Sequence, residues 1–356
     1  MSDSAFNAVY NKILEITCAP FYNYNKLYKF IKYQKKGGKL MNNIKYSYMD
    51  HWEIHTPQGL SKPNVRRSYM ERYLKQIAAL GFQGLDMFAF SIPMYSRMFG
   101  GSFTDFEKFL QDIGMEKVSG LFNCYIGDDP ATRFQYPETH DALLAQFRMY
   151  CEMAKGTGVE TMIFMPAVSY CYVEPVTDEK IHHMADFANK VGKMLMEDYG
   201  IHLSCHHEFW SGLREKWAID KFYEWTDPKY VFFFCDTAQH VISGVDPIAL
   251  YDQLADRTWG FHLKDTRNTD DTYFRLPPDA ELMVPDVPRW FYEAGSGKGL
   301  CDFEGLYKAI KKNNYSGWIS VEHDKADIEG KSFADCTAVS AWYIRNVLDP
   351  ILKEDR

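Results

Sequence analysis

Four apolar runs in this chain end in groups that are expensive to bury: "LSCHHEFW" (Leu203 to Trp210), "VFFFCD", "GFHLK" and "WISVE". Side chains alternate between faces along a strand, so each run can be split into two sets. In 201–208 one face reads Leu203, Cys205 and His207, and the other Ser204, His206 and Glu208. The same division sets Val231, Phe233 and Cys235 against Phe232, Phe234 and Asp236, and Trp259, Phe261 and Leu263 against Gly260, His262 and Lys264. In 317–322 it sets Ile319 and Val321 against Trp318, Ser320 and Glu322. One face of every run is nearly all apolar, while the other ends in Glu208, Asp236, His262 or Glu322. Each of these alone would be an ordinary polar strand end. Together on matching faces, three carboxylates and a histidine repel one another unless a cation neutralises them. Oxygen and imidazole donors suit one divalent metal ion, with Mn²⁺ first and Co²⁺, Mg²⁺ or Zn²⁺ as alternatives.

Such a site has definite chemistry. A metal that chelates a ketone oxygen and a neighbouring hydroxyl acidifies the carbon beside the carbonyl. Glu322, Glu208 or His206 would then take the proton. His206 shares the face of Glu208 and is either catalytic or a satisfied barrel histidine, whereas His207 has the opposite parity and reads as structural. Lys264 would hold substrate oxygens, or else pair with Asp265 or another carboxylate. Returning the proton gives an isomer or epimer; expelling a group from the β-carbon is an elimination.

These residues need strands to carry them, and the chain alternates strand and helix from Met41 onward. Strands are predicted at 44–49, 84–90, 117–126, 160–165, 201–208, 230–236, 258–264 and 317–322. Helices are predicted near 65–80, 103–113, 138–157, 177–199, 212–225, 246–255, 302–312 and 331–348, several opened by capping residues as in "FTDFEKFL". Eight such pairs predict an α/β fold, a (β/α)₈ barrel, whose catalytic face lies at the C-terminal strand ends. A doubly wound sheet is the runner-up, but no GxGxxG follows the first strand. The long interruption 265–301 holds an aromatic loop, 273–293, and "EAGSGKG" (Glu293 to Gly299), read as a loop-to-helix turn because the GK[ST] of a P-loop is missing. Segment 91–102, "SIPMYSRMFGGS", reads as a loop lining a pocket.

Residues 1–40 differ from the rest, being rich in lysine and tyrosine and ending in Gly-Gly; they read as an N-terminal extension outside a 41–356 catalytic domain. The net charge of −8 argues against nucleic acid as a partner, which requires a basic footprint. No apolar run reaches transmembrane length, and the 8 cysteines are scattered without a CxxC, which predicts a reduced, cytoplasmic protein with no membrane partner.

"HHEF", "CDTAQHVISGVDP", "GFHLKDTR", "GSGKGLCDF" and "GWISVEHD" resemble the xylose-isomerase-like TIM barrels of the sugar phosphate isomerase/epimerase superfamily, closely over 200–325 and in layout over 44–350. The resemblance implies a divalent metal held by Glu208, Asp236, His262 and Glu322, with substrate contacts from Lys264, His240 and Arg267. In epimerase members the two glutamates move the proton on opposite faces of the enediolate. The double histidine before Glu208, "HLKDTR" and "GWISVE" are closer to the inosose dehydratase branch, which leaves the first metal ligand as Glu208, His206 or both. Where the family often has histidine three residues past the aspartate, this chain has Gln239, followed by His240. The expected function is therefore proton removal next to the carbonyl of a keto-sugar, of isomerase/epimerase type. The alternative is a lyase, acting on a keto-inositol or, as C-glycoside deglycosidases do, on a 3-oxo-glycoside. A non-catalytic subunit or an abasic-site endonuclease-like protein is the remaining class. The expected partner is a small carbohydrate or glycoside, with room for a homo-oligomer or a small second subunit.

Overall fold

Strands with one nearly all apolar face and one mixed face can bury both by closing on themselves, and this chain does so. The computed structural model describes residues 43–51, 66–123, 133–166, 175–266, 291–297, 299–323 and 333–353. Eight parallel strands form a closed barrel: β1 (Ile44–Asp50), β2 (Gly84–Phe88), β3 (Lys117–Asn123), β4 (Thr161–Phe164), β5 (His202–His206), β6 (Val231–Asp236), β7 (Thr258–Leu263) and β10 (Gly317–Val321). β1 pairs with β2 on one side and β10 on the other, which closes the ring. Two short strands, β8 (Asp265–Thr266) and β9 (Phe291–Tyr292), form a separate antiparallel pair at the ends of the long interruption. The alternating pattern therefore yields a (β/α)₈ TIM barrel, as expected.

The apolar faces point outward. Phe233 packs on Tyr223, Phe261 on Tyr251 and Tyr315, and His207 on Phe222 and Tyr223. Below the mouth the inner faces mix polar and aromatic side chains: Thr161 and Ser204 share a 2.7 Å hydrogen bond, and Phe234 lies edge-on to His262 at 4.6 Å. Around the strands lie α1 (Arg67–Ala79), α2 (Ile92–Phe99), α3 (Phe103–Asp112), α4 (His140–Ala154), α5 (Asp178–Met194), α6 (Lys216–Glu224), α7 (Thr237–Ile242), α8 (Pro247–Leu254), α9 (Phe303–Lys312) and α10 (Phe333–Tyr343).

Two elements differ from expectation. Residues 92–99 form helix α2 rather than a pocket-lining loop: Pro93 sits in the first turn, where its missing N–H costs nothing, and Ile92, Tyr95 and Phe99 share one buried face. That face packs outside the barrel, stacking Tyr95 on Phe106 of α3 and donating the Tyr95 hydroxyl to Asp50 at 2.6 Å. Helix α7 was not expected at all, and its cap is Asp236, as described below. The N-terminal extension 1–40, most of the aromatic loop 273–293, and Arg267 lie outside the described residues.

The "EAGSGKG" segment is a loop-to-helix turn. Gly295 and Gly297 have φ of 88° and 71°, which favours glycine. A Cβ on Gly299 would lie 1.9 Å from the Asp265 carboxylate, so the backbone passes too close for any side chain. Asp302 then caps α9 by accepting from Gly305 N at 2.8 Å.

Candidate metal centre

The strand register decides which side chains meet at the mouth. Asp236 of β6 lies directly opposite His262 of β7, and His262 opposite Ser320 of β10. Glu322 follows β10 by one residue and keeps the ladder, its N–H bonding to Leu263 O at 3.1 Å. His206, the last residue of β5, reaches Asp236 with Nε2 3.2 Å from Oδ2. His206, Asp236, His262 and Glu322 each offer one ligand atom, and these atoms lie within 4.8 Å of one another in a fully buried group.

Lys264 lies inside this group. Its ammonium is 2.8 Å from Glu322 Oε1 and 3.5 Å from Asp236 Oδ2, so it pairs with these carboxylates and not with Asp265. Asp265 instead accepts from Thr266 N and Cys301 N. Thr237 holds the main chain of Lys264 from both sides, donating its hydroxyl to Lys264 O at 2.6 Å and accepting from Lys264 N at 3.1 Å. The Lys264 ammonium also sits 4.3 Å over the Phe291 ring.

Glu208 was expected in the ligand set and lies just outside it. Strand β5 stops at His206, and Glu208 follows it by two residues. Its Oε1 is 3.3 Å from His206 Nδ1. The loop that carries it is fixed from helix α7, because Gln239 Oε1 accepts from Phe209 N at 3.1 Å. Gln239 thus anchors the loop behind the double histidine. His240 was expected to touch substrate; it is buried against His207 and Phe233 on the outward face of the strands, away from the mouth.

Asp236 has two jobs that its two oxygens divide. Oδ1 accepts from Gln239 N at 2.9 Å and caps α7, while Oδ2 faces His206, His262 and Lys264. Sequence reasoning also missed His51, one residue beyond β1, whose Nε2 is 2.9 Å from Glu322 Oε1. It missed Asp86 of β2, which lies 3.7 Å from His262 Nε2 and accepts from the Ser119 hydroxyl. A longer first strand, read to Asp50, would have placed His51 at the mouth.

Burial is the largest influence on Asp236 and Glu322 and raises both carboxyls, but the Lys264 charge acting with His206 brings Asp236 below the usual carboxylate range, and Lys264 acting with His262 and His51 brings Glu322 well below it. Burial lowers His206. It would lower His262 as well, yet the charge of Glu322 and the carboxylates around it raise His262 to about 9. A divalent cation fits this donor set. His206 Nδ1, both ring nitrogens of His262 and Glu322 Oε2 are buried without a hydrogen-bond partner, although His262 Nδ1 and Glu322 Oε2 approach to 2.7 Å without the alignment of a hydrogen bond. Buried polar atoms rarely stay unsatisfied, and two imidazoles with two carboxylates are suitable metal ligands.

A family model described as the xylose isomerase-like TIM barrel matches residues 74–336. The chain belongs to this family. Among curated relatives, the inosose dehydratase of Clostridium beijerinckii is 26% identical over 282 residues, covering 77% of this chain and 87% of its own. A sugar phosphate isomerase/epimerase from Parabacteroides distasonis superposes with a TM-score of 0.62 at 16% identity, covering 89% of this chain and 98% of that one. The IOLI protein, solved with a zinc atom, superposes with a TM-score of 0.64 at 14% identity, over 86% and 99% of the two chains. This xylose isomerase-like barrel is an enzyme of the isomerase/epimerase or lyase type. No helix among its described residues is long and apolar enough to cross a membrane, and the cysteines among them are free thiols.

Proposed function

We propose that this protein is a divalent-metal-dependent lyase that eliminates water from a keto-cyclitol, acting in the cytoplasm on a small polyhydroxylated ring. The expectation of an isomerase or epimerase gives way here to its alternative, and one observation carries the change: His206, not Glu208, joins Asp236, His262 and Glu322 in the buried group. Epimerisation needs two proton-handling groups on opposite faces of one carbon, the part played by a pair of metal-bound glutamates in epimerase members. This group contains one glutamate, whose Oε1 is already within hydrogen-bond distance of His51 and Lys264, which leaves Glu208, at its edge, as the one glutamate to move a proton. The inosose dehydratase relatives support the same reading.

His206, Asp236, His262 and Glu322 would hold the metal, with Mn²⁺, Co²⁺, Zn²⁺ and Mg²⁺ all compatible with the donors. Bound there, the cation would supply Lewis acidity that draws charge onto a ketone oxygen and acidifies the neighbouring C–H. Glu208, buried at the edge of the group 3.3 Å from His206, would take that proton. The electron pair left behind would expel the hydroxyl on the β-carbon, which would take the proton now carried by Glu208 and leave as water, giving an unsaturated ketone. Lys264 balances the anionic wall of the site and can donate to substrate oxygens.

A second reading has an observation of its own. Phe88 lies edge-on to His51 and Phe122, Phe122 borders His206 and His262, and Phe90 stacks on Phe88 with its planes 14° apart. Phe90 is 46% exposed, so an aromatic layer runs from the buried group to solvent. Such a layer suits a leaving group larger than water, the aromatic aglycone of a 3-oxo-glycoside.

The test is mass spectrometry and proton NMR in D₂O on Mg²⁺-loaded protein given a keto-inositol or a 3-oxo-glycoside. Loss of water from the first supports the dehydratase; release of the aglycone from the second supports the other lyase. Deuterium next to the carbonyl with the carbon skeleton intact would restore the isomerase and overturn the proposal.

A further inference from the structure

We infer that His51 is a positioning residue for Glu322, reserving one oxygen of that carboxylate for the metal. This rests on the metal-centre reading above and assigns a role to a residue outside the ligand set. The two oxygens of Glu322 have different surroundings. Oε1 lies 2.9 Å from His51 Nε2 and 2.8 Å from the Lys264 ammonium. Oε2 is buried, has no hydrogen-bond partner, and lies 2.7 Å from His262 Nδ1. Two donors on Oε1 occupy its lone pairs and leave Oε2 as the free ligand oxygen, so Glu322 would bind through one atom.

His51 suits this task better than Lys264 does. It is 5% exposed, and the Phe88 ring lies edge-on to it at 5.4 Å, which confines the imidazole plane. A rigid ring held that way donates from one fixed point, whereas the lysine ammonium sits on a flexible stem and is shared with Asp236 at 3.5 Å. Donation to a carboxylate requires the proton on Nε2, so the contact also selects the tautomer of His51. Hydrogen bonds to a ligand from residues outside the ligand set commonly change metal affinity by about 10–100-fold.

The experiment compares the full-length wild type with His51→Ala and His51→Gln, each stripped of metal and titrated with Co²⁺. Affinity is read by calorimetry and ligand geometry by the visible absorption of the bound ion, with circular dichroism checking the fold. His51→Ala should weaken Co²⁺ binding by about 10–100-fold and change the absorption bands, because Glu322 is freed to rotate or to bind through both oxygens. His51→Gln keeps a donor near Oε1 and should recover most of the affinity and the wild-type spectrum, which a role in packing alone would not produce. Wild-type affinity and spectrum in a folded His51→Ala protein would overturn the assignment. Should His51→Ala not fold, a His51→Gln protein with the full affinity loss and an altered spectrum would overturn it too. Failure of the wild type itself to bind Co²⁺ would overturn the metal centre, which distinguishes that reading from this one.

Discussion

At the scale of residues, the site is a balance of buried charges that a proton and a metal would compete for. His262 is raised to about 9 beside Glu322, above the ordinary imidazole value. Its charged form therefore stabilises the metal-free fold fully below about pH 6.5, and that contribution is lost as pH rises through about 9. A metal needs the neutral ring, so binding should release about one proton from this residue, and affinity should fall by about tenfold per pH unit between 9 and 6.5. Calorimetry of Co²⁺ binding in buffers of different ionisation enthalpy measures both; uptake that is flat across that range would remove His262 from the ligand set. The divided work of Asp236 predicts a separation of effects. Asp236→Asn should keep the α7 cap and lose metal, whereas Asp236→Ala should lose metal and also about 1 kcal/mol of stability from the cap, with metal analysis and urea unfolding as readouts. The inward set of His206, Asp236, His262 and Glu322 was readable because alternation holds as long as a strand lasts. Glu322 keeps the alternation one residue past its strand because its N–H still bonds to β7, whereas Glu208 lies two residues past the end of β5, and His51 was overlooked because the predicted first strand ends at 49.

At the scale of elements, the barrel strands were legible almost to their ends, since each has one face of large apolar residues and is bounded by turns. Two helices were not. Helix α7 has only six residues and starts directly on a strand end, with no turn residues between to announce it. Helix α2 was hidden by Pro93 and by Gly100 and Gly101, which read as loop signals although they bound a helix at its start and its end. Both helices serve the site at one remove, α7 through Gln239 and α2 through the hydroxyl of Tyr95 on Asp50. The latch made by Gln239 predicts that Gln239→Leu leaves metal content intact while turnover falls by at least about tenfold, since displacing a reacting group by about an ångström has a large cost in rate. Equal turnover in the two proteins would show that the loop carrying Glu208 holds its place without the latch. Gly299→Ala forces a methyl group into the Asp265 carboxylate and should destabilise the fold by about 1–3 kcal/mol, read from chemical denaturation.

At the scale of the molecule, a closed ring of strands brings side chains from distant parts of the chain to one rim, so folding and assembly of the site are the same event. A metal that binds only the folded state should raise stability by about 2.7 kcal/mol at a concentration 100 times its dissociation constant. Melting temperature should therefore climb with the logarithm of added Co²⁺ and fall on chelation; a melting point indifferent to metal would contradict a site of this kind. The short pairing of β8 with β9 has a different consequence. It ties off the interruption between β7 and α9 at its base, with Asp265 opposite Tyr292 and Thr266 opposite Phe291, immediately after Lys264. Whatever is spliced in beyond that knot joins the barrel through the same pair of stitches. Lengthening such a segment twofold costs only about 0.6 kcal/mol in closure entropy. The barrel thus carries a graft point at the end of β7, where the length of the intervening chain can change at little cost to the strands that build its centre.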